Sequence, residues 1–77
     1  MIVDITHLKP KESGVVVEIK GGTGLIDRLK SMGIRVSKRV SKVSSHFWRG
    51  PQTIEIDNFT VAIGHGMAKK IIVDTDK

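Results

Sequence analysis

Seventy-seven residues make one small domain, residues 1–77, too short for a two-domain enzyme with separate cofactor and substrate folds. Hydrophobic residues form 39% of the chain, enough for a packed core, and the lack of cysteine excludes disulfides and thiolate metal sites as staples. Thirteen Lys and Arg against eight Asp and Glu leave a charge of +5, which speeds encounters with anionic partners without saying which.

In chain order, a short leader holds Ile2, Ile5 and Leu8, and residues 9–14 carry Pro10 and Gly14, which predict a turn. The β-branched run Val15-Val16-Val17-Glu18-Ile19, bounded by Gly14 and Gly21-Gly22, is the clearest strand. The period then changes. Leu25, Ile26, Leu29 and Met32 share one face of a short helix over residues 23–32, with Thr23 as its cap and Gly33 in the left-handed position that ends it. Residues 34–45 alternate imperfectly, with Val36, Val40 and Val43 as the buried candidates; the step from Val40 to Val43 breaks the period of two and predicts a bulge. Residues 52–56 and 59–63 form a hairpin turned by Asp57-Asn58. A helical turn near residues 66–69 leads to a last strand at 71–73. About five strands with one small helix would leave costly free edges in a flat sheet, so the expected class is mostly β, a partly open SH3-like barrel.

The ordered set Val17-Glu18-Ile19 with Gly21-Gly22, Leu25 with Arg28-Leu29, Met32-Gly33-Ile34-Arg35, Gly50-Pro51, and Val61-Ala62-Ile63-Gly64 leading into Gly66-Met67-Ala68 and Ile71 resembles the FeoA family. The resemblance covers residues 5–73. Each piece is a turn glycine or a core aliphatic; the order and spacing together carry the likeness. Lys11 and Ser37 stand where the family usually has glycine, which suggests a different backbone in those two turns. Asn58 replaces a hairpin glycine and His65 stands where arginine is frequent. The resemblance implies a cytoplasmic accessory of ferrous iron uptake that binds the cytoplasmic part of the FeoB transporter. A similar module forms the C-terminal domain of DtxR-type metal-dependent repressors, but 77 residues leave no room for their helix-turn-helix and dimerisation regions.

The candidate contact residues are Arg28, Arg35, Phe47, Trp48 and Met67. Arg28 and Arg35 belong to the family pattern, although a charged residue on an outer helix face is ordinarily just solvated. The run His46-Phe47-Trp48-Arg49 sets two large aromatics beside a cation. Phe47 or Trp48 either caps one end of the barrel or stays exposed as an anchor for a partner, and both readings stand open. His7, His46 and His65 lie too far apart for a recognisable metal-ligand spacing, so no metal site and no cofactor are expected, a divalent ion being the one alternative. The segment Gly64-His65-Gly66-Met67-Ala68 is too short for a phosphate-binding loop; its glycines are read as permitting a tight turn. No nucleophile sits in a strained elbow and no carboxylate pair shares an arguable face, so the chain reads as a binding module and not an enzyme. The alternative is a small-barrel nucleic-acid-binding or metal-responsive regulatory module, but the cations are dispersed and only Phe47 and Trp48 could stack, so nucleic acid is not the expected partner. Self-association through residues 71–73 as a barrel edge is a further expectation. No apolar run nears the roughly 20 residues that cross a bilayer, and the first eight residues lack an export signal, so no membrane insertion and a cytoplasmic location are expected.

Overall fold

The computed structural model describes residues 1–45 and 50–76. In chain order the elements are β1 (Ile2–Asp4), a 3-10 turn (Ile5–His7), β2 (Ser13–Ile19), α1 (Thr23–Ser31), β3 (Arg39–Ser45), β4 (Gln52–Ile56), β5 (Phe59–Ile63), α2 (His65–Ala68) and β6 (Ile71–Thr75). The strands form one antiparallel sheet in the order β1-β6-β2-β3-β4-β5, with β1 and β5 as its two ends. The SH3-like architecture holds with six strands where five were expected. The additional strand is the leader, whose pairing runs from Ile2 opposite Asp74 to Asp4 opposite Ile72. No local pattern encodes a partner so distant in sequence. One consequence corrects the expected edge: residues 71–73 lie between β1 and β2, so any self-association does not run through them as a free strand.

Local chemistry explains the elements that were foreseen. At the end of α1, Gly33 takes φ 89°, its N–H reaches the Lys30 carbonyl at 2.9 Å, and the Ile34 N–H reaches that of Leu29 at 2.9 Å. This pair of bonds satisfies two terminal carbonyls and lays Ile34 on Leu29, both fully buried. The helix start differs from expectation. Gly22, not Thr23, is the cap, and no side chain bonds the first amides. In the β4–β5 hairpin, pairing runs from Gln52 opposite Ile63 to Ile56 opposite Phe59, and both turn residues are left-handed, Asp57 at φ 50° and Asn58 at φ 71°. Such a turn matches the twist of the strands it joins. α1, α2 and the 3-10 turn cover the curved sheet, so Leu29, Ala68 and Ile5 meet Val16, Val40, Ile54 and Val73 in a single core.

Two bulges interrupt the pairing. Register shifts between Val16 and Glu18 in β2, and between Lys42 and Ser44 in β3, each leave one valine out of step. Val17 is 42% exposed and Val43 48%, while Lys42 is only 1% exposed. The expected burial of Val43 is therefore reversed: the bulge lies where the period broke, but the alternation that buries Val40 puts Lys42 inside, opposite Ile54, and Val43 outside. Val36, also expected inside, is 51% exposed because it sits in the turn before β3, closed by a 3.1 Å bond from the Lys38 N–H to the Arg35 carbonyl. Nor do the turns at Lys11 and Ser37 abandon the glycine-type backbone: they hold φ 74° and 80°. The Lys11 N–H donates to the Lys42 carbonyl and the Ser37 N–H to the Val16 carbonyl, at 2.8 and 2.7 Å, which fixes both turns. By contrast, neither Gly64 nor Gly66 has a positive φ, and a Cβ at either would meet nothing within 4 Å, so that turn does not require glycine.

Candidate functional site

β2 outlasts its neighbour β3. Register between them runs from Ser13 opposite Ser41 to Val15 opposite Arg39, and the last backbone bonds join Val16 to Lys38 (2.8 Å) and Ser37 (2.7 Å). On the other side, β2 continues against β6 as far as Ile19 opposite Ile71. Among the described residues, 17–19 therefore have a strand neighbour on one side only. α1 and the turn before β3 flank this half-open stretch, and an open groove of about 550 Å³ results.

The groove is apolar at its floor. Val17, Ile19, Ile26 and Val36 line it; Val17 is exposed because it alternates with buried Val16, and Val36 because it sits in the tight turn. Around them stand Glu18, Lys30 and Arg35. Lys30 lies in the last turn of α1, where the carbonyl end of the helix favours a cation. A second groove of about 360 Å³ shares Lys30 and Arg35 and extends to Lys38, which binds the Asp57 carboxylate at 2.5 Å. Among the described residues, Lys30 and Arg35 enter no ion pair. The arrangement offers an apolar floor and a rim of two cations against one carboxylate.

Of the residues expected to make contacts, Arg35 lines this groove and Arg28 is exposed on the same last turn of α1 without lining it. Met67 is half-buried in α2 and packs against the core. Phe47 and Trp48 lie outside the described residues. The structure thus brings Arg35 together with Lys30, Val17, Ile26 and Val36, none of which stood out beforehand as a contact residue. A trace of the signal was present: in three successive valines at least one must face away from a one-sided core.

Elsewhere, Lys42 and Asp4 have partners within the fold. Lys42 donates from Nζ to Oε1 of buried Gln52; burial holds its ammonium pKa below the ordinary value, and Asp4 and Glu12 counteract part of that effect. Burial pushes Asp4 upward, but bonds from the Thr6 hydroxyl, His7 and the Thr6 N–H together outweigh it and hold the carboxyl below its usual range. His7 Nδ1 lies 3.2 Å from Asp4, and the half-buried His65 has no hydrogen-bond partner at Nδ1. Among the described residues no three His, Asp or Glu side chains gather around a possible metal position. None of the described helices is long and apolar enough to cross a membrane.

The fold and the sequence both have relatives. A crystal structure of an iron uptake regulatory protein, FeoA, superposes with a TM-score of 0.89 at 31% identity, covering 97% of each chain. A manganese-dependent transcriptional repressor shares the fold at a TM-score of 0.85 and 22% identity, over 94% of this chain but 40% of its own. A protein of Methanocaldococcus jannaschii named as an Fe(2+) transport protein A is 35% identical over 70 residues, 91% of this chain and 83% of that protein. The FeoA domain profile matches residues 3–75, from within β1 to the end of β6. With all of the sheet but Ile2, and both helices, inside that match, the chain belongs to the FeoA family.

Proposed function

We propose that this chain works in ferrous iron uptake as a small cytoplasmic binding module: it docks on the cytoplasmic part of a FeoB-like, GTP-dependent transporter and modulates it by contact, without turnover of its own. The observation that carries this reading is the FeoA match across all of the sheet but Ile2, from residue 3 to residue 75. The open groove with its cationic rim supports it, because an exposed apolar surface framed by charge is the usual form of a recognition site. Modulation requires the module to bind two transporter states with unequal affinity, each tenfold difference amounting to about 1.4 kcal/mol.

The test is retention of the purified chain by the immobilised cytoplasmic part of such a transporter, together with ferrous uptake by cells lacking the chain. Saturable retention and reduced uptake are expected. Absence of both overturns the reading. So does tight binding of single-stranded nucleic acid that collapses with added salt, which would favour a nucleic-acid module.

A further inference from the structure

We infer that the groove between β2 and α1 receives an extended segment of a partner protein, apolar and acidic in composition, laid against residues 17–19 as an added strand. The inference rests on the docking function proposed above and specifies its surface and its ligand.

Three features of the groove select this occupant. First, residues 17–19 pair with β6 on one side and, among the described residues, with no strand on the other. A backbone edge of this kind accepts a further strand, whose main chain supplies affinity while alternate side chains supply specificity. Second, Val17, Ile26 and Val36 present methyl groups beside that edge, which fit an aliphatic residue of the incoming segment. Third, Lys30 and Arg35 rim the groove without an ion pair among the described residues, against one acid, Glu18, in a chain of net charge +5. A carboxylate of the segment reaches these cations; a basic segment would meet repulsion from both.

The same charges argue against a second copy of this chain. A two-fold pairing places the same patch on both sides, so Lys30 and Arg35 would be brought towards their own counterparts. The bulge at Val17 also serves the site. It lies in the ladder with β6 at the point where pairing with β3 stops, so exposed Val17, which alternates with buried Val16, stands beside the free edge.

The experiment is a titration of the full chain, followed by backbone amide and methyl NMR, with three synthetic peptides: one alternating Val and Glu, one alternating Val and Lys, and polyglutamate. Saturable shifts are expected for the Val-Glu peptide alone, centred on Val17, Ile19, Ile26, Lys30, Arg35 and Val36. Arg35→Glu and Val36→Asp, both at exposed positions, should each weaken that binding about tenfold while the melting transition persists, in line with loss of one anchoring contact. Should Val36→Asp disturb the fold, Val36→Ser provides the same comparison. Equal binding of the Val-Lys peptide or of polyglutamate overturns the inference, as do shifts centred on β1 or β5, or undiminished binding by folded variants. If the transporter's cytoplasmic part retains Arg35→Glu as well as wild type, the groove is wrong and the docking function stands. If the peptide binds here but the transporter does not, the groove is right and the docking function fails.

Discussion

Replacing Ser37 with glycine should stabilise the protein, although it deletes a side chain. Ser37 is held at φ 80° by the bond from its N–H to the Val16 carbonyl, and a glycine there would keep that bond. For an L-residue the left-handed conformation costs roughly 1–2 kcal/mol, which glycine avoids. Glycine loses more freedom on folding, about 0.5–1 kcal/mol, so the net gain is about 0.5–1 kcal/mol. Lys11 at φ 74° is exposed and its turn is likewise held through the backbone, so Lys11→Gly should give a similar gain. In a domain of this size 1 kcal/mol moves the melting temperature by about 4–8 °C. Thermal and urea melts of the two single variants and the double variant should therefore show upward, nearly additive steps, since the turns are at separate sites. Gly33→Ala supplies the opposite case: a Cβ there meets Ile56 Cγ2 at 3.7 Å, an ordinary contact, so the cost is the φ of 89° alone, about 1 kcal/mol or more. Unchanged or lowered stability in Ser37→Gly and Lys11→Gly, or a neutral Gly33→Ala, would refute the reasoning.

Gly14→Ala should cost about 3 kcal/mol, because its Cβ would lie 2.7 Å from the Asp74 carbonyl oxygen and backbone cannot yield as a flexible side chain does; a urea melt reads the loss. Leu29→Ala, at the centre of the helix–sheet contact, should lose about 2–5 kcal/mol in the same assay. The Asp4 carboxyl has a folded pKa below its ordinary 3.8, so its contribution is present above that value and is lost as pH falls through the folded pKa. Denaturation midpoints measured down the acid limb should fall less steeply in Asp4→Asn. Lys42 has a folded pKa below 10.5, so the unfolded chain holds the proton more tightly. Its contribution should accordingly improve as pH rises from the folded value towards 10.5, and Lys42→Met should abolish that rise.

What could be read beforehand was whatever neighbouring residues decide. The β4–β5 hairpin, the helix stop at Gly33 and the bulge near Val43 are each set within a few positions by turn chemistry or by a broken period. What escaped depends on distant partners. β1 exists because β6 lies open to it across most of the chain length. The inversion of Lys42 and Val43 depends on Gln52 arriving from β4 to meet the ammonium, a pairing that hydrophobic patterning scores the wrong way round. The groove belongs to the same class. Arg35 was visible as a candidate, but its companions Lys30, Ile26 and Val17 come from a helix and a bulged strand that only the tertiary fold sets side by side. At Lys11 and Ser37 residue type misled, because the surrounding hydrogen bonds impose a glycine-like backbone on residues that resist it.

This chain is proposed to support ferrous iron entry by touching a transporter. The most direct test is the initial rate of radio-iron(II) uptake in cells that lack the chain and are then supplied with wild type or with Arg35→Glu at equal abundance. A low rate is expected in the deletion, full recovery with wild type and poor recovery with the variant. A rate that deletion leaves unchanged would contradict the proposal.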